Sequence, residues 1–432
     1  MRNFTFSSKL RLKKHKSLTE DCGISMVNPV EGEFLTFLLQ HPAKPIVNTG
    51  DRVLCGEKIA GADDASVCVY SGVSGTVKEI KKVSNLVQTI VVESDGKMEE
   101  CQSFSSFDNL SALSKEDFIN ALKEAGFRGA DFPARAEYII VDGTECEPYQ
   151  TSGYRIMLER SQNIKSALEM VLGLYPDAKA VFAIEKNKPK AIEIFQNIFE
   201  NSPRVKVLPL KSRYPHGFEK ILVKICTGKE VPRGKTEGDI GVIILGATQL
   251  AEIGAIAQSK KPVTTRVITL SGGAVKNPGN YEVCVGMSKQ SFVDAVGGFS
   301  SPPHKIISGG AMTGSCLSNL DEPILKTDSA ILAFDETEAV IEEELPCIRC
   351  GRCVDCCPVG LLPNTLNAFS LKKNYDGFTT FNGSDCIECG SCSYICLSKR
   401  HLAHSIITAK SIINLRESEN SSLDREGDYA TD

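Results

Sequence analysis

A multidomain α/β protein is the fold class this sequence predicts, and three observations carry that reading. Between residues 137 and 210 apolar strand-like runs alternate with amphipathic helical ones, the rhythm of a mostly parallel sheet with helices packed on it. Between 35 and 100 short stretches of alternating Val and Ile are broken by turn signals such as Asn48-Thr49-Gly50-Asp51 and Ser71-Gly72. Near the C-terminus one cysteine pattern, C-x2-C-x2-C-x3-C, occurs twice.

Residues 1–105 read as a lead and a β module. The lead is polar and basic, and Lys9, Arg11, Lys13, Lys14 and Lys16 are expected on a solvated face. The module that follows is an all-β barrel or sandwich. Its Ser74-Gly75-Thr76-Val77 turn resembles lipoyl or biotinyl carrier domains, but no lysine stands at the modification position, which makes it a structural module.

Residues 110–260 form the α/β domain. A helix over 116–125 leads to Gly126–Ala134, then to the strand 137–141, which runs into Asp142-Gly143-Thr144-Glu145-Cys146-Glu147. One helix of about 18 residues is expected within 154–173. The strand 178–185, a helix over 190–200 and the strand 205–210 complete the rhythm. Ligands of open parallel sheets gather at the carboxyl ends of the strands, where Glu145, Glu147 and Glu185 fall. Each could line a pocket, or Glu145 and Glu147 could cap a helix starting near Tyr154. Cys146 lies between two glutamates that raise its pKa, which argues against a nucleophile.

Residues 264–325 read as β-rich again, with one helix near 289–297 and a glycine-punctuated segment 309–314. Residues 335–410 hold the cysteine runs, and 411–432 is a polar tail expected to fray.

The runs are Cys347, Cys350, Cys353 and Cys357, then Cys386, Cys389, Cys392 and Cys396. This is the spacing of bacterial two-cluster ferredoxins, in which three cysteines of a run hold one [4Fe-4S] cube and the fourth serves the other. The implied ligand sets are Cys347, Cys350, Cys353 with Cys396, and Cys386, Cys389, Cys392 with Cys357. Zinc ribbons or a disulfide scaffold are the competing reading, but zinc sites pair two C-x2-C knuckles and do not repeat a four-cysteine run. Pro358 follows the first run, whereas Leu397 replaces the proline after the second. Cys356 is an extra thiol expected to be a spectator. His41 and His216 are isolated, and His401 and His404 form a pair without metal-ligand company.

The 432 residues carry 49 basic and 54 acidic side chains, a formal charge of -5 that does not suggest a nucleic-acid partner. No apolar run reaches the ~18 residues of a membrane span, and the basic N-terminus lacks the apolar stretch of a signal peptide. With eight of the 17 cysteines assigned to clusters and most others scattered singly, a reducing cytoplasm is the expected location.

In this order the pieces resemble the RnfC-like family, the peripheral components of the Rnf electron-transport complexes. The segments that carry the likeness are GTECEPYQTSGYRIM (143–157), IEKNKPKAI (184–192), YPHGFEK (214–220), TGKEVPRG (227–234), RVITLSGGAVKNPGN (266–280), GGAMTG (309–314) and the two cysteine runs. The resemblance implies FMN and NADH at the central domain, a β-grasp (SLBB-like) domain at 264–325 and a dicluster ferredoxin-like domain at 335–410. It also implies a redox partner, either the membrane Rnf subunits or a soluble reductase as in the proline-reductase-associated branch. The chain would then work in the cytoplasm or peripherally at the inner face of the cell membrane.

The flavin loop departs from the family pattern G-x-G-G-A-G-F-P-T. Here it reads Gly126, Phe127, Arg128, Gly129, Ala130, Asp131, Phe132, Pro133, Ala134, with no counterpart to the lysine that follows in relatives. Gly126, Arg128, Gly129, Ala130, Phe132, Glu145, Glu147 and Glu185 are the cofactor-binding candidates. Asp131 is expected to repel FMN phosphate, and Arg128 could pair with it. Two functions stay open: an NADH-dependent flavin/iron-sulfur oxidoreductase, or a non-enzymatic iron-sulfur wire that has lost flavin and NADH binding.

Overall fold

The computed structural model describes residues 10–62, 67–84, 87–102, 104, 109–127, 129, 131–340 and 342–427. Two compact units divide the chain. The larger comprises 14–212 and 222–339; the smaller comprises 1–13, 213–221 and 340–432.

In the larger unit, β1 (Ile24–Val27) is followed by β2 (Phe34–Gln40), β3 (Lys44–Pro45), β4 (Arg52–Val53), β5 (Lys58–Gly61), β6 (Cys68–Tyr70), β7 (Gly75–Lys82) and β8 (Val87–Ser94). The order β2-β8-β7-β4 makes one antiparallel sheet and β3-β5-β6 a second. Alternation dictates the burial: Leu35, Phe37 and Leu39 of β2 point inward while Phe34 and Leu38 face out. Gly75 has a packing reason, because a Cβ there would fall 2.0 Å from the Glu93 carbonyl oxygen.

The α/β domain begins with α1 (Lys115–Glu124), capped by the Ser114 hydroxyl, which accepts from the Asp117 N–H. It continues through β9 (Tyr138–Gly143), α2 (Ser152–Glu159), α3 (Ser161–Leu174), β10 (Lys179–Glu185), α4 (Pro189–Ile198), β11 (Val205–Leu210), α5 (Glu219–Thr227), β12 (Val242–Gly246) and α6 (Ala247–Ser259). All four strands are parallel in the order β11-β10-β9-β12. Ile139, Val141, Phe182, Ile184, Ile243 and Leu245 belong to one buried core with side chains of α2, α3 and α6. Within it Phe182 and Phe195 have ring centroids 4.3 Å apart, and burying each such ring contributes about 1.5–3 kcal/mol. The single helix expected over 154–173 is two, broken at Arg160, whose φ is -119°. The physical reason is tertiary: the Arg160 guanidinium leaves the helix register to pair with Glu282 at 2.5 Å.

The third sheet contains β13 (Thr265–Ser271), β14 (Gly279–Cys284), β15 (Lys305–Ser308), β16 (Ser315–Leu317) and β17 (Ala330–Phe334), with α7 (Lys289–Ala295) between β14 and β15. Its order is β1-β14-β13-β17-β15-β16, so β1, from the N-terminal lead, supplies an edge strand through a parallel pairing of Ile24 to Asn280.

The smaller unit holds α8 (Arg352–Cys356), α9 (Pro363–Leu371), α10 (Tyr375–Thr380), α11 (Ser391–Tyr394) and α12 (Leu402–Gly427). The end expected to fray is helical through Gly427. Leu361, Leu366, Phe378, Ile406 and Ala409 make its apolar core.

Candidate functional site: strand ends and two four-thiol cavities

At the carboxyl ends of β9 and β10 five charged side chains converge, four of them almost fully buried. Lys16 Nζ lies 3.1 Å from Glu145 Oε2 and donates to the carbonyls of Glu145 at 2.7 Å and Gln150 at 2.5 Å. Lys188 Nζ lies 3.2 Å from Glu185 Oε2 and 3.7 Å from Glu145 Oε2. Lys14 Nζ reaches Glu185 Oε1 at 3.3 Å. The solvated face expected for the basic lead is therefore not formed by Lys14 and Lys16; Lys16 is 5% exposed. Two buried carboxylates draw them in, because an unpaired buried charge is costly. Lys9 lies outside the described residues.

Burial pushes Lys16 down to about 8, against the pull of Glu145. For Lys188 burial works in the same direction, yet Glu145 and Glu185 outweigh it and its pKa is raised. Glu185 stays low because Lys188, Lys14 and Lys16 outweigh its burial. Burial raises Asp142, at the end of β9, to about 6, although it accepts from the Thr144 N–H at 2.8 Å and hydroxyl at 2.6 Å.

Glu145 caps α2, its Oε1 accepting from the N–H groups of Gly153 at 2.9 Å and Tyr154 at 3.3 Å. Glu147 goes elsewhere: its carboxylate accepts from the Met312 N–H at 2.9 Å and the Thr313 hydroxyl at 2.8 Å, holding the 309–314 loop. A Cβ at Gly310 would fall 2.3 Å from the Glu147 carboxyl carbon, so a side chain there would displace the carboxylate that holds the loop.

In the loop before β9, Gly126 and Gly129 take positive φ values of 72° and 86°. Lys326 Nζ donates to the Gly126 carbonyl at 2.9 Å, and Gln249, in the first turn of α6, donates to that of Gly129 at 2.8 Å. Arg128 and Ala130 lie outside the described residues. Phe132 stands edge-on to Phe118, with centroids 6.2 Å apart, and packs against the core. The Asp131 carboxylate rests against Gly238, in the turn preceding β12. Its charge therefore sits at the amino end of that strand, while Gly129 is tied at the carboxyl end.

The cysteine runs build two cavities in the smaller unit. One is lined by Cys347, Cys350, Cys353 and Cys396, the other by Cys357, Cys386, Cys389 and Cys392. Each cavity thus takes three thiols from one run and the fourth from the other. Both runs fold alike: Arg349 and Glu388 have φ values of 56° and 58°, Gly351 and Gly390 of 75° and 70°. In each, the N–H two residues past the first cysteine donates to its sulfur at 3.4 Å. Cys356 lines neither cavity; its thiol donates to the Cys353 carbonyl at 3.4 Å, and burial pushes it up to about 12. All 17 cysteines are free thiols. Among the described residues no three His, Cys, Asp or Glu side chains are close enough to hold a single metal ion.

Sequence reasoning missed Tyr214. Fully buried in the smaller unit, its hydroxyl donates to the Cys389 carbonyl at 2.7 Å, which steadies the second cysteine loop. A buried tyrosine in a segment distant from the cysteines carries no spacing signal.

Four family models match in chain order: the RnfC barrel sandwich hybrid domain at 4–97, the Nuo51 FMN-binding domain at 124–255, the SLBB domain at 267–315 and the 4Fe-4S dicluster domain at 339–397. The C subunit of the proton-translocating ferredoxin:NAD(+) oxidoreductase complex of Clostridium ljungdahlii is 36% identical over 370 residues, 81% of each chain. The chain belongs to the RnfC family. The C subunit of the Na(+)-translocating ferredoxin:NAD(+) oxidoreductase complex of Acetobacterium woodii is 34% identical, covering 85% of this chain and 87% of that one. Its counterpart in the ion-translocating oxidoreductase complex of Rhodobacter capsulatus is 32% identical, covering 85% and 75%. Among solved structures, an NAD+-reducing [NiFe]-hydrogenase in the air-oxidized state matches with a TM-score of 0.46 and 16% identity over 67% of this chain and 54% of that one. As a member of the RnfC family, the chain is an electron-transfer protein with an FMN-binding domain of the Nuo51 type and a dicluster domain. Among the described residues no helix is long and apolar enough to cross a membrane.

Proposed function

We propose that this RnfC protein passes electrons between NADH and a partner redox protein by way of FMN and two [4Fe-4S] cubes, one held by Cys347, Cys350, Cys353 and Cys396, the other by Cys386, Cys389, Cys392 and Cys357. The lining of two cavities by these crossed sets of four thiols carries the reading. Soft thiolates in fours are the donor set an iron-sulfur cube requires. At the strand ends Lys14, Lys16 and Lys188 pair with Glu145 and Glu185, holding cations where the ligands of a parallel sheet gather. Gly129, exposed in that loop, leaves its backbone bare for close approach, whereas Gly126 is packed against Lys326 and Cys68. When bound, flavin supplies the conversion of a two-electron donor into single-electron steps. Glu145, Lys16 and Lys188 set the charge of the strand ends, and Glu147 fixes the 309–314 loop.

The partner is either the membrane part of an Rnf-type complex, reached peripherally from the cytoplasmic side, or a soluble reductase. Anaerobic purification with iron and sulfide reconstitution tests the whole assignment. About one flavin per chain and NADH-dependent bleaching are expected; iron and sulfide without flavin would leave only the wire, and a colourless, metal-free protein would refute both.

A further inference from the structure

We infer that the rim of the cavity lined by Cys347, Cys350, Cys353 and Cys396 is a docking surface for an acidic redox protein. The inference rests on the two-cube reading above and deepens it by naming the partner's chemistry. The two cavities differ sharply in their surroundings. Arg349, Arg352 and Lys372 line the first, all exposed and none in an ion pair among the described residues, and no acidic side chain lines it. Arg400 also lines it, with its charge met by Glu344. Beside these cations stand Ile348 and Leu371, each 63% exposed. The second cavity is walled by apolar residues such as Val359, Leu361 and Ile406; its one charged side chain, Glu388, is paired with Lys410. Its Cys389 is buried, whereas Cys347 and Cys350 are exposed.

Exposed apolar side chains beside unpaired cations are the anatomy of a transient interface, in which charge steers the encounter and a small desolvated centre sets the fit. It also places the electron-carrying thiols at the contact itself. The chain as a whole carries a formal charge of -5, so its net charge would repel an acidic partner everywhere except where local cations invert the field. That local inversion selects an acidic carrier over a basic one. The cube with exposed ligands is thus the exchange point with the partner, and the buried one is the internal relay.

Stopped-flow mixing of the fully loaded protein with a reduced small acidic ferredoxin, and separately with cytochrome c as a basic probe, tests this. Electron exchange with the ferredoxin should slow about tenfold from low to high salt. The triple variant Arg349→Glu/Arg352→Glu/Lys372→Glu should slow it by about tenfold or more at low salt and reverse its salt dependence, while favouring cytochrome c. If new carboxylates beside the thiols cost that variant its cube, the triple glutamine variant carries the test, with a loss of about threefold expected. Charge reversal at Lys81 and Lys82, exposed on β7, is the control and should change nothing. Unchanged ferredoxin rates in the rim variants, or an equal loss in the control, would overturn the proposal. Electron paramagnetic resonance of the wild-type protein separates this from failure of the two-cube reading, which would show as missing cluster signals before any variant is made.

Discussion

At the residue scale the buried lysines are where sequence and structure part most. A basic run of five reads as a solvated face, because charge is usually exposed; what the run does not display is the pair of glutamates far along the chain that Lys14 and Lys16 neutralise. Lys16 gives a signed test. Burial lowers its pKa to about 8 in the fold from the ordinary 10.5. Below pH 8 the folded and unfolded chains both hold the proton, and between 8 and 10.5 only the unfolded chain does, so its contribution makes stability rise with pH across that window. The slope reaches at most about 1.4 kcal/mol per pH unit. Lys16→Met should flatten this rise in melting temperatures taken at several pH values, and an unaltered profile would contradict the burial of the charge. A second residue-level expectation concerns Asp131: with its carboxylate against Gly238, Asp131→Gly should leave bound flavin per chain unchanged after desalting, whereas a gain would restore the repulsion expected from sequence.

At the element scale, what repeats locally was legible and what depends on distant partners was not. The cysteine spacing already implied crossed ligand sets, because three-residue intervals turn three thiols one way and the longer last interval turns the fourth aside; the cavity linings follow that division. The parallel sheet was legible from its alternating runs. The break at Arg160, the placement of β1 beside β14 and the seat of Tyr214 were not, since each depends on a residue more than 100 positions away or in another segment. Crossing has a direct consequence. Cys396→Ser should abolish the cube of the first run and Cys357→Ser that of the second, each leaving about half the iron and one set of cluster resonances. Loss of the cube belonging to the mutated run itself would refute the crossing. Tyr214→Phe removes one buried hydrogen bond and leaves the Cys389 carbonyl without that donor, at a cost of about 1–3 kcal/mol; the cube of the second run should bleach faster than the other under a chelator.

At the scale of the whole molecule, the two units differ in what holds them together. All eight proposed ligands lie in the smaller unit, whose apolar core is the short set Leu361, Leu366, Phe378, Ile406 and Ala409. At about 1.5–3 kcal/mol for each large side chain buried, that core does little more than offset the conformational entropy of the loops that carry the cysteines. The larger unit contains none of these ligands and has two extensive cores, one around the parallel sheet and one around the β module and the third sheet. Small domains of this kind depend on bound metal for part of their folding free energy. Iron removal should therefore act on one unit alone. Scanning calorimetry of the loaded protein is expected to show two transitions, and stripping the iron under anaerobic conditions should abolish or strongly lower the one belonging to the smaller unit while moving the other by no more than about 2 °C. Equal shifts of both transitions would mean that the cubes stabilise the chain as a single cooperative body, and the division into separately supported units would fall.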